Sequence, residues 1–222
     1  MKKFGLAVFG LAMLVGIFSA MNCSFGNVSG VQGSGTTKSE KREIAGFKEV
    51  EASGALTLEI VAQKGFSVEV EADDNLLQYI KTEVSGDTLK VFTKDKISPK
   101  TKLLVRISIP ELTALDVSGA SGATVSNIKT DSLKLEASGA SKIKIDGQAI
   151  RLEADASGAS GIDAEGLIVE NADVEASGAS NTIVSPTNEL KADSSGASTV
   201  YYTGEPKSVS PKTSGASSVK KK

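Results

Sequence analysis

From Leu115 to the end, the chain alternates apolar and polar residues, and the alternation returns in phase every 18–20 positions. Its fixed point is Ser-Gly-Ala-Ser, which starts at Ser118, Ser138, Ser157, Ser177, Ser195 and Ser214, with a partial copy at Ser53. Three positions before the leading serine stand Leu115, Leu135, Ala154, Val174 and Ala192 in the first five copies. Five positions after it stand Ala123, Ile143, Ile162, Thr182, Val200 and Val219, and seven after it Val125, Ile145, Ala164, Val184 and Tyr202. A period of two is the mark of a strand with one buried face. Nothing between the copies supplies the roughly 10–15 residues of 3.6-residue periodicity that a helical repeat needs.

A unit of strands and bends cannot bury its apolar face alone, so neighbouring units must stack. The pattern predicts an all-β protein, a parallel β-solenoid with about 19–20 residues per coil and coils about 4.8 Å apart. The repeated glycines are expected to turn the chain at one corner, with Ala120, Ala140, Ala159, Ala179, Ala197 and Ala216 filling a tight interior there. The flanking serines are expected to form two hydroxyl columns. The motif reads as a structural corner and not as a catalytic serine, because no base is repeated beside it.

Lys41 to Pro110 is strand-rich without the regular period. Candidate strands are Lys48–Glu51, Leu56–Val61, Ser67–Glu71, Leu89–Thr93 and Leu103–Ile109, with a helical turn in Asn75–Ile80 and a tight turn at Ser85-Gly86-Asp87. Residues 41–222 are therefore read as one solenoid head domain with irregular N-terminal coils. At the chain end, Pro206, Pro211 and Lys220-Lys221-Lys222 interrupt the pattern and predict a final coil that frays or caps the stack poorly.

The first segment concerns address. Lys2 and Lys3 precede an apolar run, Phe4 to Phe18, followed by Ser19 and Ala20, the layout of a secretory signal over residues 1–22. Such a run reaches roughly 22 Å, short of the ~30 Å hydrocarbon core of a bilayer. The sole cysteine, Cys23, lies just behind it in a lipobox-like setting, although Ala20 and Asn22 depart from the strict pattern. It is read as the candidate lipid-attachment residue; the other reading is a chance cysteine near a signal-peptidase site after Ala20. Residues 23–40, rich in Gly, Ser and Thr, are expected to be a flexible tether. The expected location is the bacterial cell envelope, as a lipid-anchored protein on a periplasmic or surface face, or otherwise secreted or periplasmic.

Composition narrows the chemistry. The 222 residues contain no histidine or tryptophan, which excludes His-based triads, proton shuttles and His-ligated zinc sites built from this chain alone. Removal of residues 1–22 leaves 23 basic against 27 acidic residues, a balance that argues against nucleic acid as a partner. Two positions before the leading serine of the first five copies runs an acidic column, Asp116, Glu136, Asp155, Glu175 and Asp193, with Glu51 in the same place before the early copy. It is read chiefly as a solvated face that Lys134 and Lys191 partly neutralise, and otherwise as a ladder for divalent cations. With Tyr201, whose ring is expected to point outward, the column forms the candidate binding surface.

Gly46-Phe47-Lys48-Glu49-Val50, Glu51-Ala52-Ser53-Gly54-Ala55, Asp73-Asp74-Asn75-Leu76-Leu77, Gly86-Asp87-Thr88-Leu89-Lys90-Val91, Val105 to Leu112 and the Ser-Gly-Ala-Ser series, in this order, resemble the DUF2807 family, the autotransporter adhesin head GIN domain. The resemblance covers roughly residues 41–220. It implies an exported bacterial protein, often a lipoprotein, with a pectin-lyase-like β-helix and an adhesive or other surface-binding role. It brings no catalytic residues, and no cofactor or metal ligand is assigned. Two classes of function follow: a non-enzymatic envelope module that binds a glycan or protein through solenoid faces, and a carbohydrate-active lyase or hydrolase that uses carboxylates. Regular rungs satisfy the carboxylate spacings of both retaining and inverting glycosidases, so spacing alone does not favour an enzyme.

Overall fold

The structure is a computed structural model, and residues 30–222 are described. The signal segment and Cys23 lie outside the described residues. The strands are β1 (Val31–Gln32), β2 (Thr37–Arg42), β3 (Glu49–Ala52), β4 (Thr57–Ala62), β5 (Ser67–Asp73), β6 (Ile80–Ser85), β7 (Thr88–Thr93), β8 (Ile97–Ser98) and β9 (Leu104–Ile109). They continue as β10 (Ala114–Val117), β11 (Gly122–Ala137), β12 (Lys142–Ala156), β13 (Gly161–Ala176), β14 (Asn181–Ser194), β15 (Thr199–Tyr202), β16 (Ser208–Thr213) and β17 (Ser218–Lys221). One 3-10 turn, Leu77–Tyr79, falls where a helical turn is predicted.

The predicted parallel solenoid is the fold. Each of β11 to β14 runs along a first side, bends through a short third side and returns along a second side. The bends are register shifts, between Val125 and Ile128 and between Lys144 and Asp146 for example. Equivalent residues pair up the stack: Leu115 with Leu135, Leu135 with Ala154, Ala154 with Val174, and Val174 with Ala192. The in-phase apolar residues fill one continuous core, with Leu58, Val105, Val125, Leu135, Leu152 and Val174 wholly buried. Each such Val, Leu or Ile contributes about 1.5–3 kcal/mol through burial, which is how short units without a disulfide hold together.

The corner differs from expectation in one respect. Ala120, Ala140, Ala159, Ala179, Ala197 and Ala216 are exposed, and the second serine of the motif is the buried residue, from Ser121 to Ser198. The turn explains this: Gly119, with φ of +75°, and Ala120 form its exposed tip, and the chain resumes the inward phase at Ser121 and Ala123. The alanine acts through its backbone, since Ala140 N–H donates to Gly119 O at 2.7 Å and the bond recurs up the stack. The buried hydroxyls are not used alike: Ser160 Oγ donates to Ala137 O at 2.9 Å and Ser198 Oγ to Ala176 O at 2.9 Å, Ser121 Oγ accepts from Leu56 N–H at 3.1 Å, and the hydroxyls of Ser141 and Ser180 have no hydrogen-bond partner among the described residues. Glycine is needed at the corner for two reasons. Gly158 has φ of +74°, and a Cβ there would stand 2.8 Å from the Gly139 carbonyl oxygen one coil below.

The N-terminal coils stack out of sequence order. On the second side the order is β6-β7-β3-β10-β11, so β3 lies between β7 and β10, and Val50 pairs with both Leu89 and Leu115. On the first side β4 likewise lies between β9 and β11. The early Ser53-Gly54-Ala55 thus forms the first corner of the regular column, and Gly119 packs directly on Gly54. Antiparallel strands close this end, β5 and β2 beyond β9 and β6 beyond β7.

Part of the expected tether is folded. Residues 31–42 hold β1, which pairs β8, and β2, which pairs β5. All of β2 except the half-buried Arg42 is exposed, so it adds a backbone ladder and almost no core. Hydrophobic periodicity is blind to such a strand. Asp73 fastens the segment: its carboxylate accepts from the backbone N–H groups of Gly35 at 2.6 Å, Lys100 at 3.0 Å and Thr101 at 3.1 Å. Burial pushes this carboxyl up, and the N–H donors of Thr101, Gly35 and Lys100 outweigh it, so its pKa falls below the ordinary value.

The final coil is formed, against the expectation of fraying. Strand β16 pairs β14 and β17 pairs β15 in register, with Val209 and Val219 partly buried against the core. Pro211 sits in β16, an edge strand, where a missing N–H is tolerated, and edge lysines oppose pairing with other chains.

Candidate functional site

The second side carries the acidic column. Strands β3, β10 and the ends of β11 to β14 place Glu51, Asp116, Glu136, Asp155, Glu175 and Asp193 on successive rungs. Lysine stands at both ends, Lys90 opposite Glu51 and Lys212 opposite Asp193. Like charges about 4.8 Å apart repel by nearly 1 kcal/mol in water, less with salt, and the neighbouring column answers part of this. Lys134 Nζ lies 2.7 Å from Glu136 and 3.6 Å from Glu153, and Lys90 lies 2.8 Å from Glu51. Glu136 and Glu51 hold these two lysines above their ordinary pKa. Lys191 faces Glu189 at 3.8 Å instead of Asp193. Asp155, Glu175 and Asp193 have no ion-pair partner among the described residues.

Asp116 is the rung that differs. Burial, then the charges of Glu136 and Glu51, push its carboxyl above the ordinary range, against the pull of Lys134 and Lys90. It opens on a shallow depression of about 320 Å³ over Ala114 and Leu115, walled by Glu49, Thr88 and Lys134. Glu175 and Asp193 border a second depression of about 380 Å³ with Asp173, Lys191 and Lys212, and among the described residues no three acidic side chains converge as a cation site.

Tyr201 is on the first side, in a column that runs Arg106, Glu59, Thr124, Lys144, Asp163, Ile183, Tyr201, Lys220. It is half-buried between Ile183 and Lys220, while Tyr202 packs against the core. The structure therefore separates Tyr201 from the acidic column. At the other end of the same column, Arg106 joins Glu71 at 3.0 Å, Glu59 at 3.5 Å and Glu69 at 3.7 Å, and Glu71 chiefly raises its pKa.

The third side holds a concavity absent from the sequence-based candidates. A groove of about 720 Å³ crosses four successive coils there, bounded by Gln63, Thr130, Gln148, Ile150, Ile168 and Glu170 among others. Repeat phase did not reveal it, because these residues lie in the bends, where coil length varies and rungs are not alike. A signal was present: Ile150 and Ile168 are large apolar residues that fall outside the inward phase. A second opening, of about 780 Å³, lies between Gly54 and the segment 93–99 and reaches Gly30, the first described residue.

With the coil geometry in hand, the class is plain: a three-sided parallel β-solenoid with an antiparallel cap at one end. The family model described as "Putative auto-transporter adhesin, head GIN domain" (DUF2807) matches residues 46–206, and the chain belongs to that family. The fold is shared with crystal structures of proteins described as a putative adhesin from Bacteroides fragilis, a putative adhesin from Parabacteroides merdae and a putative lipid binding protein from Parabacteroides distasonis. The first is 19% identical with a TM-score of 0.72, over 86% of this chain and 100% of that one. The second is 22% identical with a TM-score of 0.56, over 86% and 98%. The third is 18% identical with a TM-score of 0.50, over 86% and 98%. No curated protein matches the chain.

Proposed function

We propose that this protein is a non-enzymatic, adhesin-like module of the bacterial cell envelope that binds a glycan or protein ligand through the outer sides of its solenoid. The observation that carries this reading is the likeness of the later acidic rungs, beyond Glu136. Carboxylate catalysis needs a proton-bearing and an ionised group in unlike environments, whereas Asp155, Glu175 and Asp193 repeat one exposed setting. The family name and those of the structural neighbours support the same class.

A second reading has one observation in its favour. Asp116, raised in pKa and flanked by Glu51 and Glu136, is the most enzyme-like point of the column, and a carbohydrate-active lyase or hydrolase would use it as the acid.

The test is direct: the mature chain is applied to glycan and matrix-protein arrays, and polysaccharides are assayed for released reducing ends or unsaturated products. Binding without product release is expected. Product release that is lost in Asp116→Asn or Asp155→Asn overturns the non-enzymatic reading.

The proposed address is the envelope, reached by export and held by lipid on Cys23 behind Lys2, Lys3 and the apolar run. Labelled palmitate is expected in the wild-type chain and absent from Cys23→Ala; equal labelling of both overturns the anchor.

A further inference from the structure

We infer that the third-side groove is the glycan-binding site and that it takes a neutral oligosaccharide; this rests on the binding-module reading above. Ile150 and Ile168 are the two most exposed large apolar side chains among the described residues, at 47% and 53%, and both line this groove. Exposed large aliphatic side chains gathered in one concavity mark a surface that a ligand covers. Its volume of about 720 Å³ lies within the roughly 300–1,000 Å³ of small-ligand sites.

The polar lining is built and partly unspent. Gln63 holds a left-handed backbone, φ 61°, and its side-chain amide donates to Pro110 O at 3.3 Å and Lys129 O at 3.1 Å, which ties one end of the groove to two different coils. Thr130 is fixed by Glu111 at 3.1 Å and Thr187 by the Val169 carbonyl at 3.0 Å. Lys129, Asp131, Gln148 and Glu170 are exposed and make no side-chain hydrogen bond or ion pair among the described residues, so their donors and acceptors are open to solvent and available to a ligand. A pyranose ring offers an apolar face to isoleucine and equatorial hydroxyls to amide and carboxylate groups, which is the mixture present here.

Two features select among ligands. The lining carries Glu111, Asp131 and Glu170 against Lys129, an excess of negative charge that repels uronate or sulfated polymers. The main chain on this side is already paired, Thr130 with Ala149 and Ala149 with Val169, which leaves no free edge for an added peptide strand.

The test uses the mature chain with cello-, malto-, manno- and chito-oligosaccharides as neutral probes, hexagalacturonate as the acidic probe, and calorimetry as the readout. At least one neutral probe is expected to bind with a Kd below about 1 mM, about tenfold or more weakened by Ile168→Asp and by Gln148→Ala, with hexagalacturonate weaker than the best neutral probe. Both substituted side chains are exposed, and unchanged circular dichroism and melting confirm folding. Binding that survives both groove variants and is lost in Tyr201→Ala or Asp155→Asn overturns the groove and leaves the binding module standing. Preference for hexagalacturonate overturns neutrality. If no neutral probe binds, the inference fails, and binding to matrix proteins alone then keeps the broader reading with a protein as its ligand.

Discussion

The coils before Ala114 and the coils after it share one strand register yet are held by different means. In the later region the rungs up to Ser198 repeat nearly the same contacts: a corner glycine on a corner glycine, a buried serine, and in-phase residues that are aliphatic except at Thr182. In the earlier region contacts occur once each. Phe47 packs on Phe66 with ring centroids 5.2 Å apart, Asp73 gathers three backbone N–H groups, and antiparallel β2, β5 and β6 close the stack. A repeat propagates itself but cannot end itself, because each coil leaves an open edge for the next. The irregular coils supply that ending, and their irregularity follows from the task.

The comparison can be broken most forcefully at Phe47. Phe47→Ala removes a wholly buried ring from the cap and is expected to cost about 3–5 kcal/mol, read as a lower urea midpoint. One shared transition would show that cap and repeat unfold together; two transitions would show that the repeat stands without its cap.

Next in size is the corner. Gly158→Ala forces a side chain against backbone that cannot yield and is expected to cost about 2–3 kcal/mol. Gly86→Ala, at φ of +61° in the β6–β7 turn with open space around the new Cβ, is expected to cost about 1 kcal/mol. Equal losses would mean that backbone conformation alone, and not coil-on-coil approach, demands glycine.

Acid separates the regions in sign. Asp73 has a lowered folded pKa, so its contribution is present above the unfolded value near 3.9 and is lost as pH falls through the folded value. Asp116 has a raised folded pKa, so its charge weakens the fold at neutral pH and acidification through that value relieves it. Asp73→Asn is therefore expected to lower Tm at pH 7, with the gap to wild type closing below about pH 4. Asp116→Asn is expected to raise Tm slightly at pH 7, the gain vanishing on acidification. A parallel response of the two variants would refute the assigned environments.

The smallest effect belongs to an exposed rung. Asp155→Asn is expected to shift stability by no more than about 0.5 kcal/mol, since it leaves a solvated column and relieves like-charge repulsion from Glu136 and Glu175. A larger loss, measured by urea unfolding, would show that the ladder holds something the strand face does not display.

Much of the repeat was legible in the chain. The phase of Leu135, Ile143 and Ile145 identified the buried face, and the rungs of the acidic column followed from the same spacing. The corner was misassigned because strand phase stops at a turn: Gly119 and Ala120 form its exposed tip, and the inward phase resumes at Ser121. Strand β2 was not legible, because it joins by its backbone and buries almost nothing. The groove was legible only as two out-of-phase isoleucines, Ile150 and Ile168; its concavity was not, since Gln63 comes from the earlier region and meets Lys129 only after the coils stack out of order.

Side-chain phase is a local property, so the sequence alone determined the number of regular coils, their inward residues and the columns on their faces. Which strand edge pairs with which is decided by backbone hydrogen bonds that any strand can make, and by how the chain is routed between them. Only the tertiary structure therefore decided that β3 and β4 lie between later strands, that residues 31–42 belong to the cap, and that the third side is concave.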